Sequence, residues 1–231
     1  MAMRHKGHAS AQASAAGQPE NVVLVLACSP RAGGNSDALA ECFAQGVRAA
    51  GGAARLLHLR DFQVRPCVGC GRCASLPEHR CVLGGGDDAE ALFALMRAAP
   101  LTLLASPIFF YALPAGLKGF IDRAQRFWLA DEGGQAHSAH TGPQLWAGLV
   151  GARPRGERLF AGSLLCLKYF GAALGLTLGE EMLCYGYDGP QALRQDAARC
   201  DALVQWGGRA AVLCAEAVCA APLSAAAGKP A

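Results

Sequence analysis

The chain has no dense block of Lys and Arg interleaved with aromatics, and its formal net charge is only +3 over 231 residues. Nucleic acid is therefore not an expected partner. Charged residues make up 17% and hydrophobic ones 52%. That balance excludes a disordered chain and fits one substantial core, with too little length for two. The first twenty residues, MAMRHKGHASAQASAAGQPE, contain no apolar run, and a secretory signal needs one. Residues 1–20 therefore read as a tail, 21–219 as one domain, and 220–231 as a second, frayed tail. Long hydrophobic runs are scarce as well. The most apolar stretch, Ala161 to Leu178, is interrupted by Lys168 and glycines. It reads as a buried helix running into a strand, so no membrane association is expected. Disulfide logic is also missing, because the eleven cysteines are odd in number and mostly scattered singly. Free thiols of that kind suit a reducing compartment, here the cytoplasm.

What is present is an alternation of strands and helices. Val22 to Cys28 is a continuous apolar run bounded by Ser-Pro, as expected of a strand covered on both faces. Ser36 opens a helix with Leu39, Cys42, Phe43 and Val47 at helical spacing, and Gly51–Gly52 stop it. Further strands are expected at Ala54–Leu59, Leu101–Ala105, Leu145–Val150 and near Glu181–Tyr187. Between them fall helices ending near Ala99, with Asp87 and Glu90 as a capping-box-like start, at Leu117–Phe127, at about Glu157–Gly171 and at about Pro190–Cys219. No internal repeat is visible. This is the pattern of an α/β fold: a flavodoxin-like, doubly wound, five-stranded parallel sheet of order 2-1-3-4-5, with a cysteine-rich loop at 66–86 after strand two. Ligands of such sheets bind at the carboxyl ends of the strands.

The turn after strand one, Cys28-Ser-Pro-Arg-Ala-Gly-Gly-Asn-Ser36, leads straight into a helix. A helix start presents unpaired N–H groups and the positive end of its dipole. Ser29, Asn35 and Ser36 add polar donors, Arg31 adds charge, and Gly33–Gly34 let the backbone approach. The set suits a phosphate dianion, although Ser, Gly and Asn are also common in ordinary strand–helix turns. The dinucleotide fingerprint G-x-G-x-x-G is absent. Gly34 stands where a low-molecular-weight phosphatase would need arginine. A monophosphate held without hydrolysis remains, which favours FMN.

The loop SPRAGGNS, the later SPIFFYALPAGLKGFIDR and the four cysteines between them resemble the NAD(P)H-dependent FMN reductases, and most of all the iron–sulfur flavoproteins among them. The resemblance covers roughly residues 21 to 130. It implies that Ser29, Arg31, Gly34, Asn35 and Ser36 hold the FMN phosphate. It also implies that Pro107, Ile108, Phe109 and Phe110 lie along the flavin ring, with Gly151 in a third loop between Val150 and Ala152. A flat apolar wall with backbone amides at its edge is what an isoalloxazine needs. Lys118, Asp122 and Arg123 are expected to be structural, with Asp122 and Arg123 salt-bridging. No catalytic acid or base is expected, and His137 and His140 read as solvated loop residues.

Cys67, Cys70, Cys73 and Cys81 have the spacing C-x2-C-x2-C-x7-C. Three thiolates at x2 intervals can wrap one face of a [4Fe–4S] cluster, with Gly69 and Gly71 relieving the backbone and Cys81 returning to the fourth corner. A tetrahedral zinc site and a cofactor-free loop are the alternatives. Cys28 and the other scattered cysteines read as small buried hydrophobes. The expected function is electron transfer through FMN and the cluster, between a donor such as ferredoxin or NAD(P)H and an acceptor, in a homodimer or homotetramer. The alternatives are an NAD(P)H-dependent FMN or quinone reductase without a cluster, and a non-enzymatic FMN shuttle.

Overall fold

A computed structural model describes residues 22–130 and 142–219. The expected loop histidines His137 and His140 and the two tails lie outside the described residues. Five parallel strands, β1 (Val22–Ala27), β2 (Ala53–His58), β3 (Leu101–Pro107), β4 (Gln144–Gly151) and β5 (Thr177–Tyr185), form one sheet of order β2-β1-β3-β4-β5. Successive side chains of a strand face opposite sides, and here both sides are apolar. Leu24, Leu26, Leu104, Leu145 and Leu149 enter one core. Val23, Val25, Leu101, Leu103 and Trp146 enter the other.

Helices cover both faces. On the first lie α2 (Ala89–Ala98), α3 (Ala115–Asp122), α4 (Gln125–Ala130) and α5 (Ala161–Leu174), whose Phe93, Phe120, Phe127 and Phe170 form one aromatic cluster. On the second lie α1 (Asn35–Ala49) and α7 (Ala197–Cys219), preceded by the short α6 (Ala192–Gln195). Phe43 of α1 meets Trp206 of α7 edge-on, and Trp206 stacks on Trp146 of β4. Among the described residues no helix is long and apolar enough to cross a membrane.

Four expected boundaries differ. The helix expected over Leu117–Phe127 is two, because Arg123 and Ala124 take tighter bonds to Phe120 and Ile121 between α3 and α4. The final helix is broken at Asp196, whose carboxylate accepts from the Arg199 N–H at 2.9 Å and so caps α7. Strand β5 starts at Thr177 rather than near Glu181, since Gly175 at φ +75° ends α5 early enough for the chain to turn back. Asp87 and Glu90 do not form a capping box at α2. Asp87 turns to Arg123, and Glu90 turns to Arg126.

Candidate flavin site and cysteine loop

The phosphate turn is shaped from beneath. Asp37 is buried in the first turn of α1, accepts from the Gly33 N–H at 2.8 Å and pairs with Arg60 at 3.0 Å. Arg60 also reaches the carbonyls of Ser29 and Arg31. The Ser29 hydroxyl closes a local turn by accepting from the Arg31 N–H at 3.1 Å. Gly33 takes φ +70°, a conformation that a side chain resists. Gly34 is the N-cap of α1 and offers no side chain to the first-turn N–H groups. They are therefore left facing outward with the positive end of the helix dipole. Arg31 stands exposed at the rim, and Ser36 is buried just inside the helix.

Asn35 has a different task for its side chain. Its amide donates to the carbonyls of Tyr187 at 2.9 Å and Gly189 at 3.0 Å, and its oxygen accepts from the Leu193 N–H at 3.0 Å. Both amide hydrogens are thereby used, so Asn35 faces the cavity with its backbone. These bonds draw the segment after β5 across the turn. Tyr187, Asp188, Gly189 and Pro190 thus line the same polar cavity as Ser29, Arg31 and Gly34, about 360 Å³ in volume. Residues 187–190 and Asp37–Arg60 were not singled out from the sequence. They reach the site through pairings 23 to 158 residues apart, which local patterns do not reveal.

The second loop leaves β3 at Pro107, and the Ile108 N–H donates to the Val150 carbonyl at 2.9 Å. Phe109 and Ala112 then exchange both backbone hydrogen bonds. Between them Phe110 and Tyr111 sit at φ +50° and +62°. Two positive φ values in a two-residue turn define the type I′ geometry, which normally selects Asn and Gly. Bulky side chains there are strained, and such strain concentrates at functional sites. Phe110 is fully exposed, and Arg153 lies 5.8 Å from the Tyr111 ring.

Ile108 to Tyr111, Gly151, Ala152, Arg153 and Lys118 line a wide, mainly apolar cavity of about 990 Å³. It shares Arg31, Ile108, Phe109 and Ala152 with the phosphate cavity, so the two are one groove across the carboxyl ends of the strands. Gly151 has a packing reason of its own: a Cβ there would stand 2.8 Å from a Leu159 methyl. The groove thus contains every residue expected around the phosphate and the ring.

A family model described as NADPH-dependent FMN reductase matches residues 22–156. The chain belongs to that family. An iron–sulfur flavoprotein of Methanocaldococcus jannaschii is 29% identical over 103 residues, covering 45% of this chain and 51% of that protein. One of Archaeoglobus fulgidus is 30% identical over 95 residues, 41% of each. The chain thus spans about half the length of the curated relatives it matches. Its fold is shared with an FMN-dependent NADH-azoreductase of Bacillus anthracis (TM-score 0.58, 13% identity, 83% of this chain and 100% of that one). It is shared too with an NAD(P)H:quinone oxidoreductase of Methanothermobacter marburgensis (TM-score 0.56, 16% identity, 83% and 96%).

The cysteine loop stands beside α3 and α4. Its base is pinned where Gln63 and Asp88 exchange bonds of 2.7 and 2.8 Å. Gly69 and Gly71 take φ +63° and +68°, and the Gly69 N–H points to the Cys67 sulfur at 3.5 Å. His79 is held by the Cys73 carbonyl at 3.1 Å. Cys67, Cys70, Cys73 and Cys81 all line one cavity of about 30 Å³ together with Val68, Val82, Arg123 and Arg126. Among the described residues no group of three or more His, Cys, Asp or Glu side chains is arranged to hold a metal ion.

Arg123 underlies this cavity. Its side chain is fully buried, pairs with Asp87 at 2.5 Å and donates to the Arg65 carbonyl at 3.0 Å. Its Nε and Nη2 have no hydrogen-bond partner, although Nη2 lies 4.0 Å from a Glu90 carboxylate oxygen, and Cys81 is another of its neighbours. Asp122 pairs with Lys118 instead, at 2.6 Å, so the two adjacent residues salt-bridge in opposite directions. Burial works against the Asp87 charge, yet Arg123 and the N–H groups of Arg65 and Ala89 hold its carboxyl below the usual carboxylate range. Burial likewise works against the Arg123 charge, and Asp87 with Cys81 holds it protonated.

Proposed function

We propose that this chain is an FMN-dependent oxidoreductase that also carries a [4Fe–4S] cluster on Cys67, Cys70, Cys73 and Cys81. The observation that carries the flavin reading is the continuous groove, polar at the start of α1 and apolar against residues 107–111. The N–H groups of Gly34, Asn35 and Ser36 bind the phosphate, and Arg31 neutralises it from the rim. Ile108, Phe109 and the Gly151–Ala152 backbone orient the ring, while Leu113 and Leu159 exclude water from one side of it. FMN supplies two-electron chemistry with a donor such as NAD(P)H and one-electron chemistry with a carrier such as ferredoxin. No side chain needs to deliver a proton for either.

The cluster reading rests on the cysteines' shared cavity and on the orphaned N–H groups of Arg123 beside Cys81. Buried N–H groups left without an acceptor are costly, and thiolates with sulfides would supply acceptors to the Arg123 Nε and Nη2. At about 30 Å³ the cavity is narrower than such a group, so the loop would have to open for the four cysteines to hold it. α3 lines the flavin groove at Ala115 and Lys118 and ends beside Arg123. Its eight residues span about 12 Å, so both groups belong to one electron path.

Replacing Arg31 with Ala removes one charge-assisted contact, about 1.5–3 kcal/mol, and weakens FMN binding roughly 10- to 100-fold. An unchanged dissociation constant, measured by flavin fluorescence, refutes the placement. Iron and acid-labile sulfide on anaerobically purified protein test the cluster separately. The closed cavity favours one second reading, a cluster-free NAD(P)H-dependent quinone reductase, and fully flavinated protein without iron selects it.

A further inference from the structure

α1 and α7 lie side by side and parallel, in unusually close contact. A Cβ added at Gly46 would stand 1.9 Å from the Val204 carbonyl oxygen, and one at Gly208 would meet the Ala50 methyl at 3.9 Å. The pairing therefore advances four residues on each helix, 46 with 204 and 50 with 208. One turn earlier the same register sets Cys42 opposite Cys200. Both are half-buried, neither belongs to the cysteine loop, and the flavin chemistry uses neither. Cys200 also points its sulfur at the Leu193 carbonyl, 3.3 Å away, in the segment latched to the phosphate turn by Asn35.

We propose that Cys42 and Cys200 are a dithiol modification site, oxidised by hydroperoxides to a disulfide that locks α7 and the segment before it onto α1. The two thiols are close enough to act on each other electrostatically. Burial, and then its neighbour Cys200, push Cys42 up to about 12, which disfavours Cys42 as the attacking sulfur. The Cys200 sulfur attacks one peroxide oxygen. The O–O bond breaks, an alcohol (water, from hydrogen peroxide) leaves, and Cys200 becomes a sulfenic acid. The Cys42 sulfur then attacks the Cys200 sulfur. The S–O bond breaks, and the departing hydroxide takes the Cys42 proton as water. Two thiols and one hydroperoxide thus give one disulfide, one alcohol and one water.

Tryptic mapping of the full chain after hydrogen peroxide tests this without any variant. Cys42 is the sole cysteine of peptide 32–48, and Cys200 is the sole cysteine of peptide 200–209. The expected product is these two peptides joined, two hydrogens lighter than their sum and separated again by dithiothreitol. Recovery of the two as separate peptides, or linked to other cysteines, overturns the proposal. A second arm rests on the FMN reading: FMN release slows several-fold in the oxidised protein and is unchanged by peroxide in Cys42→Ala. If the link forms but release does not slow, the modification site stands. The lock on the phosphate end is then refuted.

Discussion

Arg123 and Asp87 bind each other with side chains at 0% and 1% exposure, and removing one charge strands the other. Breaking such a buried pair costs about 3–5 kcal/mol. Asp87→Asn is expected to lose that much in urea unfolding at neutral pH. Because the folded-state carboxyl sits below its ordinary value of 3.8, the pair's stability is present above that value and lost as pH falls through the lower folded one. The gap between wild type and Asp87→Asn should therefore close only below about pH 3.8. A gap that stays constant into that range removes the pair from the stability account. Neither partner was legible in the sequence. Asp87 looked like a helix cap, and Arg123 looked like half of a pair with its neighbour Asp122. Adjacent helical residues do not face each other. Which way each turned was decided by the cysteine loop folding over α3.

At the scale of elements, the α1–α7 seam is set by glycine rather than by side-chain interdigitation. Alanine is favoured over glycine by about 1 kcal/mol in an exposed helix interior. Gly46→Ala inverts that sign, because the new methyl meets the Val204 backbone, which has no rotamer to give. The expected cost is about 1–3 kcal/mol, read as a lower urea midpoint with an unchanged slope. A raised midpoint would show that the helices separate freely. Strands and most helices were legible because a doubly covered strand is a continuous apolar run and a half-covered helix repeats near four. The breaks were not. Asp196 within 190–219 and Arg123 within 117–127 interrupt otherwise helical patterns without Pro or Gly, through tertiary hydrogen bonds that propensity does not contain.

For the whole molecule, the phosphate end of the groove is closed by chain segments far apart in sequence, Asn35 reaching Tyr187, Gly189 and Leu193. The turn itself was legible, being contiguous and chemically explicit. Its closure was not, because an asparagine in such a turn looks like an anion ligand whatever its amide faces. The family match ends at residue 156, ahead of the closing segment Tyr187 to Pro190. Two substitutions at one position separate latch from ligand. Asn35→Ala removes three hydrogen bonds at about 1 kcal/mol each, so thermal stability falls and FMN is held less firmly. Asn35→Asp keeps an acceptor for the Leu193 N–H but turns a second acceptor on the Tyr187 and Gly189 carbonyls, so it opens the latch at least as far. It also sets a carboxylate beside the bound phosphate, where like charges repel. If Asn35 acts as latch and its backbone as ligand, the Asp variant is no more stable than the Ala variant and binds FMN the more weakly. An unchanged thermal midpoint in both variants by calorimetry, with FMN held less firmly by flavin fluorescence, would return the amide to the phosphate.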